Sequence, residues 1–219
     1  MKSQVARDFL RDKLLSVVIP AYNEVERLPE TIRRIVEYFE ADGIDYELIV
    51  VDDGSTDGTA AAAQAAIAGN PHARVIACEH NRGKGHAVRT GMNESKGDLR
   101  FFTDADLSAP ISEIEKLILP VAAGYDAAIG SRELPGAQVS EQPAFHHVRD
   151  FVFNLFVRAL VMPNYLDTQC GFKLFTRECA EFIFSRVRLS NFSFDVEALL
   201  MARLGGFRIK EVSIEWHGN

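Results

Sequence analysis

The chain contains few cysteines, no long hydrophobic run and no excess of basic residues. Its three cysteines are too few and too scattered for a disulfide framework or a metal-binding repeat, so we expect reduced thiols in a cytoplasmic protein. No apolar run approaches the roughly 20 residues of a membrane-spanning helix, and residues 1–13 do not resemble a secretory signal. The formal net charge of −7 argues against non-specific nucleic-acid binding, which requires a basic surface.

What remains is the composition of an ordinary globular protein. Of the 219 residues, 47% are hydrophobic and 25% are charged, which is enough for a sizeable core in one domain. We therefore treat residues 1–219 as a single domain. We expect any membrane contact to be peripheral, at the cytoplasmic face.

Apolar runs alternate with segments of helical periodicity. Leu28, Ile32, Ile35 and Phe39 recur at helical spacing, and Pro29 suits the first turn of that helix. Because strands that alternate with helices build parallel sheets, we predict an α/β fold with ligands at the strand carboxyl ends. The predicted strands are residues 14–20, 48–51, 75–78, 99–102, 125–130 and 207–216. The further predicted helices are residues 59–68 (capped by Ser55 or Asp57), 85–95, 111–123, 182–184 and 196–204.

The sequence changes character after residue 132. Residues 133–143 contain one glycine and two prolines and predict a mobile loop. Residues 144–162 combine phenylalanines with arginines and histidines. This pattern suits either a helix packed on the sheet or a helix at the lipid headgroup boundary, and both interpretations stay open.

The most informative motif is a pair of carboxylates at the end of a predicted strand. Asp104 and Asp106 follow the apolar residues Phe101 and Phe102 and are one residue apart. Two such groups can hold Mg²⁺ or Mn²⁺, which keeps its other positions for water and phosphate oxygens. On its own the pattern also fits a solvated turn, so its meaning depends on the surrounding motifs.

Three further motifs lie at strand ends or before helices. Residues 20–24, Pro-Ala-Tyr-Asn-Glu, end the first strand, because proline removes a ladder donor. Residues 51–59 place Asp53 before Gly54, where a carboxylate can accept from ribose hydroxyls or a base. Residues 81–87 form a basic, glycine-containing loop that suits anions but lacks P-loop spacing. Each motif also has a purely structural interpretation as a turn or helix cap.

The motif Asp-Thr-Gln-Cys-Gly-Phe-Lys at 167–173 completes the set. The order and spacing of these motifs resemble family 2 glycosyltransferases of the GT-A fold, over roughly residues 14–216. Within that family they are most similar to polyprenyl-phosphate sugar synthases, particularly the dolichyl-phosphate glucosyltransferase group. The resemblance implies a GT-A fold with a mostly parallel central sheet flanked by helices.

The resemblance also implies a reaction. A hexose would move from a nucleotide sugar donor to a polyprenyl phosphate acceptor, with inversion at the anomeric carbon. UDP-glucose is the expected donor, GDP-mannose the alternative, and Mg²⁺ or Mn²⁺ the cofactor. Mannosyl-transferring relatives often carry Gln where this chain has Ser108, which disfavours mannose. Because the acceptor is lipid-linked, we expect about residues 133–173 to face it and the membrane surface.

Residue roles follow from the same resemblance. Asp104 and Asp106 would hold the metal ion and the diphosphate, while Arg132 and Lys173 would bind the acceptor phosphate. Asp167 would orient the groups around that phosphate, and these five residues form the expected catalytic set. The expected nucleotide-binding residues are Pro20, Ala21, Tyr22, Glu24, Asp53, Arg82, Lys84 and Asp104.

Two other classes of function stay open from the sequence. A family 2 enzyme that glycosylates a sugar hydroxyl or a protein would need a general base, for which Asp195 and Glu197 are the candidates. A non-catalytic scaffold would bind a nucleotide sugar without turning it over.

Overall fold

The structure is a computed structural model, and it describes residues 3–140, 163–191 and 193–218. The strands are β1 (Leu15–Ala21), β2 (Tyr46–Asp52), β3 (Ala73–Ala77), β4 (Leu99–Thr103), β5 (Ala127–Ser131), β6 (Gln138–Val139), β7 (Phe172–Thr176), β8 (Ile209–Ser213) and β9 (Glu215–Trp216). The helices are α1 (Gln4–Leu10), α2 (Leu28–Ala41), α3 (Thr59–Ala66), α4 (Lys84–Glu94), α5 (Ile114–Ala122, after a 3₁₀ turn at Ile111–Glu113), α6 (Arg177–Phe184) and α7 (Phe194–Leu204).

Seven strands form the central sheet, in the order β3-β2-β1-β4-β7-β5-β8. Four of the six pairings are parallel, and both antiparallel pairings involve β7. The sheet is therefore mostly parallel, as predicted. The strand order reverses direction at β1, so the loops after β1 and β4 leave a crevice at the carboxyl ends of the strands.

The long strands are apolar throughout because helices cover both faces of the sheet. No residue of β1, β2, β4 or β5 is exposed. In β1, Leu15, Val17 and Ile19 face a core shared with α1, α2, α3 and α5, whereas Val18 faces a core shared with α4, α6 and α7. This double coverage is typical of parallel sheets.

The start of α3 differs from the sequence prediction. Gly58, rather than Ser55 or Asp57, occupies the N-cap position, with φ of 96°. Asp57 still supports this end of the helix, since its Oδ1 accepts from the amide of Thr59 at 3.0 Å. The hydroxyl of Ser55 is directed elsewhere and bonds the carboxylate of Asp52.

The second half of the chain holds two strands that the sequence did not predict. Part of the predicted loop at 133–143 forms β6, which pairs with β9. The other missed strand, β7, carries Lys173 as its second residue, and a lysine is rarely buried in a strand unless tertiary contacts neutralise its charge. The helix predicted at 144–162 lies outside the described residues. Among the described helices, none has both the length and the apolar character to cross a bilayer.

The packing of α2 on the sheet generates a stability prediction. Phe39 is fully buried in the core under α2, so Phe39→Ala should lower the free energy of unfolding by about 3–5 kcal/mol. Glu37 is on the same helix with its side chain 59% exposed, and Glu37→Ala should change that free energy by less than about 0.5 kcal/mol. Urea unfolding followed by circular dichroism measures both, and equal losses would contradict this packing.

Candidate active site

The crevice between the ends of β1 and β4 is a cavity of about 390 Å³. Loops after β1, β2 and β4 and the start of α4 build its walls, so motifs distant in sequence meet at one edge of the sheet. The predicted site residues that line it are Pro20, Ala21, Tyr22, Glu24, Asp53, Lys84, Asp104 and Asp106. Arg82 is not part of this lining, although its backbone amide donates to the carboxylate of Asp53.

Asp53, in the motif at 51–59, hydrogen-bonds to the motif at 20–24 and to the basic loop at 81–87. Its own amide donates to the carbonyl of Ala21 at 2.8 Å, and its carboxylate accepts from the amides of Arg82 and Gly83 at 2.9 and 2.6 Å. Gly54 makes this approach possible, since a Cβ there would lie 2.5 Å from the carbonyl carbon of His80. The basic loop is therefore held over the cavity by its backbone.

The loop after β1 is fixed against the loop after β2. The amide of Asn23 donates to the Ser55 hydroxyl at 2.9 Å, and the Asn23 side chain accepts from the Thr56 amide at 3.1 Å. The neighbouring ring of Tyr22 is left 45% exposed at the cavity wall, although it is a large apolar group. An exposed ring on a rigid loop is a suitable surface for a planar base to stack on.

The two motif carboxylates enter the cavity after β4. Asp104 pairs with Lys84, with 2.5 Å between Oδ1 and Nζ. Asp106 accepts from both the amide and the hydroxyl of Ser108, at 3.0 and 2.8 Å. Leu107 between them has φ of 47°, which turns the chain tightly enough for both contacts. Ser108 thus orients Asp106.

These carboxylates fit a hard divalent cation. Their donor atoms are oxygens on a tightly bound turn, which Mg²⁺ and Mn²⁺ prefer. Lys84 also binds Asp104, and its side chain is only 18% exposed. Burial opposes the charge of Lys84, but the charges of Asp104 and Asp195 outweigh burial and raise the pKa of this ammonium. Lys84 is therefore a cation at the wall of the cavity.

Arg132 and Asp167 form a second charged group next to β5. The Nε and Nη2 atoms of Arg132 donate to the Asp167 carboxylate at 2.7 and 3.0 Å. Burial favours the neutral acid, yet the charge and hydrogen bonds of Arg132 hold the pKa of Asp167 below its ordinary value. The guanidinium also lies over the ring of Trp216, 5.1 Å from its centre. Asp167 thus orients Arg132.

Lys173 is more enclosed than the sequence suggested. Its Nζ donates to Asp195 and to the carbonyl of Cys170, both at 2.5 Å, and neither Lys173 nor Asp195 is more than 2% exposed. Contact with an acceptor phosphate would require this buried ion pair to rearrange. The phosphate-binding role of Lys173 stays a prediction.

Comparison with known proteins assigns the chain to a family. The profile of Glycosyl transferase family 2 matches residues 16–184. The chain belongs to this family. It is 37% identical to a human protein named dolichyl-phosphate β-glucosyltransferase, in an alignment of 218 positions that covers 93% of this chain and 67% of that protein. A Saccharomyces cerevisiae protein of the same name is 33% identical, in an alignment of 222 positions that covers 93% of this chain and 66% of the relative. The chain spans about two thirds of the length of these relatives.

Solved structures confirm the predicted GT-A fold of this family 2 glycosyltransferase. Mycobacterium tuberculosis glucosyl-3-phosphoglycerate synthase, crystallised with Mn²⁺, UDP-glucose and phosphoglyceric acid, superimposes with a TM-score of 0.72. The match covers 98% of this chain and 75% of that chain, at 22% identity. At that identity the likeness shows the fold and does not assign the substrate.

In this glycosyltransferase, two residues that position Asp104 and Asp167 were not predicted from the sequence. Gly171 lies against Asp104, where a Cβ would come within 2.1 Å of the Asp104 Oδ2 atom. Glu211 on β8 accepts from the amides of Leu166 and Asp167 at 3.0 and 2.7 Å, and so fixes the backbone that carries Asp167. A glycine inside a motif signals close approach, but nothing in the sequence places Glu211 near residue 167.

The close approach at Gly171 generates a binding prediction. Gly171→Ala should displace Asp104 and weaken Mn²⁺-dependent UDP binding at least about tenfold, a loss of about 1.4 kcal/mol. Gly69→Ala is the control, because a Cβ there meets no atom within 4 Å although φ is 82°. It should cost about 1 kcal/mol of stability and leave UDP binding unchanged. Calorimetric titration measures both, and equal UDP affinity in the two variants would contradict the role of Gly171.

The lowered pKa of Asp167 generates a pH prediction. A depressed carboxyl pKa contributes stability that is fully present above the ordinary value of about 4 and disappears as pH falls through the folded-state pKa. The difference in free energy of unfolding between the wild type and Asp167→Asn should be constant from about pH 7 to pH 5 and shrink below about pH 4. Denaturant unfolding across this range measures it, and a difference independent of pH would refute the charged pair.

Proposed function

We propose that the protein transfers glucose from UDP-glucose to a polyprenyl phosphate of the dolichyl type, with inversion at the anomeric carbon. The observation that carries the proposal is the arrangement of two charged groups at one edge of the sheet. Lys84, Asp104 and Asp106 line a cavity suited to a nucleoside diphosphate. Asp167, which binds Arg132, belongs to the same motif as Gly171, and Gly171 lies against Asp104. The names of the human and yeast relatives support glucose as the sugar and dolichyl phosphate as the acceptor.

The donor would lie in the cavity with its nucleoside toward β1 and β2. Tyr22 offers a ring for the base, Asp53 and Glu24 offer acceptors for sugar hydroxyls, and Lys84 offers positive charge for the diphosphate. Pro20 and Ala21 shape the wall, and Arg82 is assigned to the diphosphate on the family resemblance alone. Mg²⁺ or Mn²⁺, held by Asp104 and Asp106, would neutralise charge on the leaving nucleoside diphosphate.

The acceptor would approach from the side of Arg132. The Arg132 guanidinium is a planar cation that two hydrogen bonds from its N–H groups to Asp167 hold in one orientation, and a planar guanidinium suits phosphate oxygens. One phosphate oxygen would attack the anomeric carbon opposite the leaving group, forming one carbon–oxygen bond as the bond to UDP breaks. The phosphate is already ionised at neutral pH, so this chemistry requires no general base.

Other residues support a phosphate acceptor over a sugar hydroxyl. Asp195, the candidate base for hydroxyl chemistry, is 2% exposed and bound by Lys173. Glu197 accepts from the amides of Arg188 and Leu189. Cys170 does not serve as a nucleophile, because burial raises the pKa of its thiol and keeps it neutral.

Membrane contact belongs to the same proposal. The acceptor-facing part is assigned to about residues 133–173, of which 133–140 and 163–173 are described. The strand β6 in this part pairs with β9, which carries Trp216, and the Trp216 ring lies against the guanidinium of Arg132. A lipid phosphate that reached Arg132 would bring this side of the protein to the cytoplasmic surface of the bilayer.

A transfer assay tests the proposal. The protein is incubated with labelled UDP-glucose or GDP-mannose, a short polyprenyl phosphate, and either Mg²⁺ or a chelator. We expect glucosyl lipid from UDP-glucose only with the metal present. Asp106→Asn should reduce the rate by at least about 100-fold, or about 2.7 kcal/mol, whereas the exposed control Asp45→Asn should not. Formation of mannosyl lipid would show that GDP-mannose, rather than UDP-glucose, is the donor. Transfer to a sugar hydroxyl without any lipid product would overturn the proposed acceptor.

A further inference from the structure

A cluster of three potential metal ligands lies directly behind the nucleoside end of the cavity. A carboxylate oxygen of Asp53, the thiol sulfur of Cys78 and a ring nitrogen of His86 all lie within 4.8 Å of one another. They come from three separate elements, after β2, after β3 and in the first turn of α4. We propose that these residues bind a thiophilic divalent cation such as Zn²⁺, and that this cation and the nucleoside exclude each other.

The backbone presents the three side chains to the same point. Cys78 is placed beside β2 because its amide donates to the carbonyl of Asp52 at 2.8 Å. The Oδ2 atom of Asp53 is anchored by the amides of Arg82 and Gly83, so its Oδ1 atom is directed at His86 Nδ1, 3.3 Å away. Ligands oriented by such supporting hydrogen bonds are typical of protein metal sites.

The donor set decides which cation fits. One sulfur, one imidazole nitrogen and one carboxylate oxygen suit Zn²⁺, whereas Mg²⁺ and Mn²⁺ prefer the all-oxygen pair Asp104 and Asp106. Zn²⁺ would bind each of these atoms at about 2.0–2.3 Å, so the two most widely separated ligand atoms would have to approach each other by about 1 Å. Because Cys78 is only partly buried, a water molecule can complete the tetrahedron.

The position of the cluster predicts its effect on the donor. Asp53 lines the cavity, whereas Cys78 and His86 lie behind it. A cation bound to Asp53 would withdraw this carboxylate from the nucleoside and place positive charge behind it. Metal binding by the three residues is independent of the proposed function, but the competition with nucleotide rests on it.

Metal binding is tested on the full chain after removal of bound metals. Zn²⁺ is titrated by calorimetry, and Co²⁺ is used as an optical probe because thiolate ligation produces a charge-transfer band in the near ultraviolet. We expect one Cys78-dependent Zn²⁺ per chain, with the Co²⁺ band lost and affinity lowered at least tenfold in Cys78→Ala. Cys179→Ala, which removes a buried cysteine of α6 outside the cluster, should keep both signals. Identical Zn²⁺ binding in Cys78→Ala and wild type, or no binding in wild type, would overturn the site.

Competition is tested by titrating UDP in excess Mg²⁺ with and without Zn²⁺. The apparent UDP affinity of wild type and Cys179→Ala should fall at least fivefold with Zn²⁺, while Cys78→Ala should keep its affinity in both conditions. If Zn²⁺ binds through Cys78 but UDP affinity is unchanged, mutual exclusion is wrong and the metal site stands. If UDP does not bind wild type at all, the proposed function fails, and the Zn²⁺ and Co²⁺ titrations still decide the site.

Discussion

The carboxylate of Asp104 lies against the backbone of Gly171, and the rest of the site depends on this close contact. A side chain at Gly171 would come within 2.1 Å of an Asp104 oxygen. The contact joins the cavity, where Asp104 pairs with Lys84, to the segment that carries Asp167 and Lys173. Only a residue without a side chain leaves room for the Asp104 carboxylate at this point.

Charges of alternating sign surround this contact. Lys84 pairs with Asp104, Lys173 with Asp195 and Arg132 with Asp167, and each pair contains at least one largely buried partner. Buried pairs add little net stability because desolvation offsets most of their attraction, but losing one partner is costly. Their value here is positional, because each pair holds its two side chains in a fixed arrangement. The same argument explains the bonds from Glu211 and Ser108, which fix Asp167 and Asp106.

Several parts of the fold follow from local sequence. Continuous apolar runs predicted β1, β2 and β4, because strands covered on both faces have no polar side. Helical spacing from Leu28 to Phe39 predicted α2, and Pro29 lies in its first turn as expected. The motif order indicated family 2 membership, which the family profile confirms. The strand β7 was missed because the charge of Lys173 hides its apolar alternation, and Asp195, which neutralises it, is 22 residues away.

The sequence by itself determined the α/β class, since this class depends on periodicity. The order and spacing of its motifs resembled a family that the profile confirms, and that resemblance named the residues that line the cavity. Only the tertiary structure decided how those residues are used. It encloses Lys173 with Asp195, binds Arg132 to Asp167, and brings Cys78 and His86 to Asp53. These contacts depend on how strands from distant parts of the chain are ordered in the sheet, and pairwise contact across the fold leaves no periodic signal in the sequence.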